Sequence, residues 1–264
     1  MISSDFFQNY LISHIQDSCS QCHIEIKSIK PHNLLGFEAK TIKFKHIQTS
    51  QNYELKSLRV SISPFSQIFV FKIPISIEVE FSNSGRFILQ TNQLIWKNFS
   101  FQTLENIKVI FLNTYLKDLQ DYSALFNFLP IKAPFLNARL KGVLLISHGE
   151  GKGSLRIKEP KIYIPGGSPL KFEPMRTKLL LQNSSLSFEP LELKSRLGQV
   201  TLLGSLDPFP SPTQFQLELR SPKENHLSNI LGRIVNCRGS HVRISGGFNN
   251  PYCFQFPPGS LTTP

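Results

Sequence analysis

Residues 36–47 read GFEAKTIKFKHI. Apolar Phe37, Ala39, Ile42 and Phe44 are interleaved with Glu38, Lys40, Lys43 and Lys45, and over parts of the run the two kinds alternate. A period of two sends successive side chains to opposite faces of a strand, so this stretch reads as a strand with one dry and one wet face. The same rhythm extends outward in both directions. IEIKSI precedes it, and LKSLRVSI, FVFKIPISIEVEF, RFILQTNQLI and NIKVIFL follow with short breaks. After residue 130 it resumes in ARLKGVLLIS, GSLRIKEPKIYI, RTKLLLQN, SLSFEPLELKSR, QVTLLGSLD and TQFQLELR, and SHVRISGGF (240–248) is the last such run. The pattern predicts a mainly β protein built on a long antiparallel sheet.

Three short segments depart from the period of two. Residues 3–16 place Phe6, Phe7, Tyr10, Leu11 and Ile15 on one helical face behind a Ser3 or Ser4 cap. A second helix is predicted over 118–128, stopped by Pro130. A third is predicted over 222–231, with Ser221 as cap, Pro222 in the first turn and Glu224 completing a capping box. Residues 1–251 form one β-rich domain in this reading, with a subdivision allowed near 118–135, and 252–264 form a frayed Pro-rich tail.

Two strands resemble each other. Residues 200–208 read VTLLGSLDP and residues 242–251 read VRISGGFNNP. Gly204 shares a face with Val200, Leu202 and Leu206, and Gly246 with Val242, Ile244 and Phe248. A glycine inside a strand lets the sheet bend or lets a neighbour approach closely. Gly204 and Gly246 are therefore read as strand-bend positions, and the sheet as strongly curved. A weaker third copy lies at 140–160.

Composition narrows the function. Of 264 residues 40% are hydrophobic, enough for a core, and 22 are Phe. The net charge of +11 suggests an anionic partner: nucleic acid, a lipid surface or lipopolysaccharide. The basic residues are scattered singly, and the aromatics sit at alternating apolar positions. Both features weigh against nucleic acid. The least charged long run, 60–71, is too short to span a bilayer and contains Pro64. No secretory signal is legible at the N-terminus.

Motifs for chemistry are sparse. CSQCH (19–23) spells the attachment sequence of c-type haem. That reading needs a helical haem pocket and an axial partner, whereas the motif lies between a helix and a run of strands. The favoured reading is redox-structural. Cys19 and Cys22 form a pair near one end, and Cys237 and Cys253 flank the last predicted strand. A Cys237–Cys253 bridge would close a loop of about 15 residues and add roughly 3 kcal/mol. Cys19 and Cys22 could bridge locally, and four reduced thiols remain the alternative, so the pairing stays open. GEGKG (149–153) lacks Walker spacing and reads as a hairpin turn, His148 and Glu150 read as solvent-facing at its tip, and Met175 reads as part of an EPMR turn. No catalytic residue, metal site or cofactor is predicted, and the protein is read as a non-enzyme.

The pattern resembles the AsmA-like group of bacterial envelope proteins. It does so in the opening HIEIKSIKPHNLLGFEAKTIKF, through Ile24, Ile26, Ile29, Pro31, Gly36, Phe37 and Ile42. It does so again in LKGVLLISHGEGKGSLRIKEPKIYIP and in LSFEPLELKSRLGQVTLLGSLDP. Length and the closing SGGFNNP bring it nearest to the general secretion pathway protein N family of the type II secretion system. The resemblance implies a non-enzymatic periplasmic body, tethered to the inner membrane by an anchor that this sequence does not show. Its implied partners are secretion-system or other envelope proteins. The alternative it carries is a lipid-binding or lipid-transfer module, in which an apolar β-groove holds acyl chains and scattered Lys and Arg meet anionic headgroups.

Overall fold

The computed structural model describes residues 13, 22–33, 35–46, 52–62, 72–94, 104–119, 136–163, 167–183, 185–207, 214–221, 226–234, 241–247 and 250–255. They are overwhelmingly β. Fifteen strands join one open antiparallel sheet, and nearly all pair with their neighbours in the chain. The meander places β1 (Cys22–Pro31), β2 (Leu35–His46), β3 (Asn52–Ile62), β4 (Lys72–Phe81), β5 (Arg86–Leu94) and β6 (Leu104–Tyr115) side by side. There follow β7 (Leu136–Ser147), β8 (Glu150–Ile162), β10 (Met175–Gln182), β11 (Ser185–Ser195), β12 (Gly198–Asp207), β13 (Gln214–Arg220), β14 (His241–Gly247) and β15 (Asn250–Gln255). The short β9 (Leu170–Lys171) lies off this path and pairs with the end of β8. Two compact units divide the chain: residues 1–128 with 142–148, and 129–141 with 149–264.

In the first unit the core grows from the stretch that opened the sequence analysis. Ala39 and Ile42 are fully buried and Phe44 nearly so. Buried residues 39 and 42 are three apart, so the alternation changes phase between them. The cause is Thr41, whose φ of 53° puts a β-branched residue in the left-handed region. The neighbours change phase with it. Ile26 faces Ile42 while Ile29 faces Ala39, and Leu55 faces Ile42 while Leu58 faces Ala39. The shift ends at a bulge between Leu55 and Ser57 opposite β4, where Phe81 and Val79 keep an unbroken alternation. One apolar layer results, holding Ile24, Ile26, Ala39, Ile42, Phe44, Leu55 and Phe81, with Leu119 packed against it.

The other face of these strands carries a charged ladder. Arg59 Nε donates to Glu38 Oε1 at 2.8 Å, and its Nη1 lies 3.6 Å from Glu78. Arg86 reaches Glu78 at 3.4 Å, and Lys56 donates to Glu80 at 2.7 Å. The hydrogen bond from Arg59, joined by the charges of Arg59 and Lys40, holds the Glu38 carboxyl below its ordinary range against the opposing effect of burial. The hydrogen bond from Lys56 does the same for Glu80.

In the second unit a helix, α1 (His226–Ile234), lays Leu227 and Leu231 on a cluster of Leu170, Phe172, Met175, Leu191 and Val200. Leu227 is fully buried. Helix α1 overlaps the span predicted over 222–231 and runs on to Ile234, while residues 222–225 lie outside the described residues. Of the helix predicted over 118–128, helical residues 116–119 are described and the remainder is not. The 3–16 helix falls outside apart from residue 13, which is helical.

Three local readings are corrected. Met175 is not in a turn: it opens β10 and is buried, and the irregular residues 172–174 precede it. The turn expected over GEGKG is confined to His148 and Gly149, and Glu150 already begins β8. Both turn residues have positive φ, 52° and 82°, the conformation of a type I′ hairpin whose twist matches its strands. Strand β14 is not the last strand, since the segment read as a tail begins with β15, which pairs along β14 from Gly247↔Asn250 to Val242↔Gln255. Pro251 sits near the start of an edge strand, where the missing N–H is tolerated.

Candidate functional site

Two features of the second unit offer surface for recognition. The first is a cavity of about 650 Å³ beside the β11–β12 turn. Its walls follow from three backbone contacts. The Phe172 amide donates to Pro160 O and the Glu173 amide to Lys194 O, so the segment after β9 crosses from β8 to the end of β11. The Leu227 amide donates to Leu197 O at 3.3 Å, which ties α1 to the turn. Ser195 Oγ accepts from the Leu197 amide at 3.1 Å and fixes the turn itself. Leu170 and Phe172 form the apolar floor as an extension of the core, and Leu197 is half exposed at the wall.

Charge is concentrated at the rim. Lys171, Lys194 and Arg196 line the cavity with one carboxylate, Glu173. Lys194 Nζ is 2.7 Å from Glu192, and that hydrogen bond raises the ammonium above its ordinary pKa. Lys171 and Arg196 are exposed and have no ion-pair partner among the described residues. A smaller cavity of about 310 Å³, lined by Arg176, Glu192 and Pro190, shares Lys194 and Glu173 with the first.

The second feature is strand β15. Among the described residues it pairs with β14 alone. Tyr252 and Phe254 project to the face that carries Ser245 and Arg243 on β14, and they are 63% and 52% exposed. Arg243 is 3.8 Å from Glu218, which also accepts from Arg220 Nε at 2.9 Å. Exposed aromatics on an edge, flanked by a small charged network, differ sharply from the opposite edge. Strand β1 carries exposed His23, Glu25, Lys27 and Lys30, the usual protection of an edge against pairing. β15 has no charged residue.

The residues singled out in the sequence are dispersed. Gly204 lies on β12 opposite Leu217, and a Cβ there would clash with Gln216 O and come within 2.6 Å of the Leu217 side chain. Gly246 is on β14 with a φ of 114°. Cys253 is central in β15, opposite Ile244, and is disulfide-bonded. Cys19 and Cys237 lie outside the described residues and Cys22 is described only by its backbone, so the pairing expected between them is not placed. His23 is exposed on β1, 3.5 Å from Glu25. Among the described residues no three His, Cys, Asp or Glu side chains gather as a metal site. His148 and Glu150 are both exposed, and Ser147 Oγ contacts His148 Nδ1 at 2.9 Å and donates to Asn106 at 2.8 Å on the open turn. Among the described residues no helix is long and apolar enough to cross a membrane.

Neither the cavity nor the edge was singled out in the sequence. The cavity's cations are isolated letters there, and only LKSR at the end of β11 hints at a basic turn. No family model matches the chain, and no curated protein or solved structure is significantly similar to it.

Proposed function

We propose that this chain is a non-enzymatic envelope protein that docks other subunits of the type II secretion machinery along strand β15. The observation that carries the proposal is the contrast between the edges: β1 is charged, and β15 is uncharged with Tyr252 and Phe254 exposed. An edge strand offers unpaired backbone groups in a row, and alternate side chains add specificity to a strand laid beside it. A periplasmic location belongs to the same reading, and the disulfide at Cys253 supports an oxidising compartment. So does the resemblance to AsmA-like proteins, along with a strongly curved sheet bending at Gly204 and Gly246, and a tether to the inner membrane.

The alternative is a lipid module whose apolar β-groove takes acyl chains. It needs an uncovered apolar strip of several hundred Å². Ala39, Ile42, Phe44 and Val200 are buried and unavailable to such a groove, whereas Ile75, Ile77, Phe87 and Leu89 are only half-buried.

The test is a photo-crosslinking amino acid placed in turn at Tyr252 and at Lys27, in cells that express the secretion machinery. An adduct with a machinery subunit from position 252 and none from position 27 is expected. Equal labelling from both edges, or none from 252, would sink the proposal.

A further inference from the structure

We infer that the cavity beside the β11–β12 turn binds a small amphiphilic anion: a phosphate or carboxylate head on a short apolar chain. The inference stands apart from the docking edge, since no residue of β15 lines the cavity.

Size comes first. At about 650 Å³ the cavity falls within the usual range for a small-molecule site. Its lining is divided in the way such a ligand requires. Leu170 and Phe172 at the floor are buried members of the core, so the base of the cavity is held rigidly. Leu197 adds a half-exposed apolar wall. Above them stand three cations against one carboxylate.

The cations are not equivalent. Lys194 is already engaged by Glu192 at 2.7 Å. Lys171 and Arg196 hold no ion pair among the described residues, so both are open to a bound anion. They come from different segments. Lys171 is on β9 and Arg196 is in the turn, brought together because Glu173 bonds Lys194 across the gap. A guanidinium presents paired donors that match a carboxylate or phosphate, and an ammonium adds a mobile point charge. The half-exposed Leu197 gives an apolar chain surface to cover that a bare ion would leave in water.

The head and chain could belong to a soluble metabolite or to a membrane lipid, and the experiment separates these sources. Isothermal titration of the full chain would use decyl phosphate below its micelle concentration, decanol, inorganic phosphate, and vesicles with and without phosphatidylglycerol. The expected result is saturable binding of decyl phosphate at least about tenfold tighter than of either decanol or inorganic phosphate. Binding to phosphatidylglycerol vesicles as well would assign the lipid source, and failure to bind them the soluble one. The double variant Lys171→Gln, Arg196→Gln alters two exposed side chains and leaves the core intact. It is expected to weaken decyl phosphate binding by about tenfold or more, with most of the salt dependence lost. Leu197→Ser should weaken it while leaving the salt dependence in place. Equal affinity for decanol, equal affinity for inorganic phosphate, no binding by wild type, or an unchanged double variant would each overturn the inference.

Discussion

The change of phase at Thr41 makes a prediction that unbroken alternation would reverse. Counting in twos from Phe37 and Ala39 turns residue 41 to the core and residue 42 to solvent. In the structure Ile42 is 0% exposed and Thr41 is only half-buried. Ile42→Ala removes three carbons from a site closed by Ile26 on β1 and Leu55 on β3. At about 0.8 kcal/mol per carbon the transfer loss is roughly 2.4 kcal/mol. The cavity left behind brings the cost to about 3–4 kcal/mol where the walls cannot collapse. Thr41→Ala removes the β-branch that strains the left-handed backbone and loses little packing, so it should cost no more than about 1 kcal/mol. Urea unfolding followed by far-UV circular dichroism measures both. Because the chain has two compact units, the comparison uses the midpoint of the transition that Ile42→Ala displaces. If Thr41→Ala lowers that midpoint more than Ile42→Ala does, β2 is not phase-shifted and the core of the first unit has been assigned to the wrong residues.

Three further predictions concern other parts of the sheet. Leu227→Ala should destabilise the second unit by about 2–5 kcal/mol, read as a lowered urea midpoint, because Leu227 is fully buried where α1 meets β11 and β12. Gly204→Ala should cost about 1–3 kcal/mol in the same assay, since the new Cβ would press on the Gln216 carbonyl, a backbone group that β12 pairing holds in place. The carboxyls of Glu38 and Glu80 titrate below their ordinary value of about 4.5, so their contribution is complete above that pH and is lost as pH falls through their lower folded values. Melting temperatures measured between pH 6 and pH 3 should therefore fall less steeply in the double variant Glu38→Gln, Glu80→Gln; an identical slope would remove the ladder from the account of acid stability.

The strands were legible because a period of two is a local property, written in neighbouring residues whatever the fold. The hairpin at 148–149 was legible for a similar reason, although the turn proved tighter than its glycines suggested. The phase change was also present in the letters, as the three-residue step from Ala39 to Ile42, but one irregular step reads as noise until its neighbours make it too. Strand β15 was hidden by Pro251 and by a Pro-rich continuation, features that mark a tail unless β14 offers an edge to pair with.

The cavity was not legible at all. Lys171 and Arg196 are far apart in the chain, and their approach depends on the Glu173–Lys194 contact and on α1 docking against Leu197. Sequence alone determined the class of structure: alternating side chains require a sheet with one dry face, and their number requires a large one. Tertiary structure decided which strands form the edges among the described residues, which glycine meets a neighbouring backbone and which cations share a cavity. Those outcomes depend on strand register and on packing across space, and neither is encoded in the spacing of residues along a single strand.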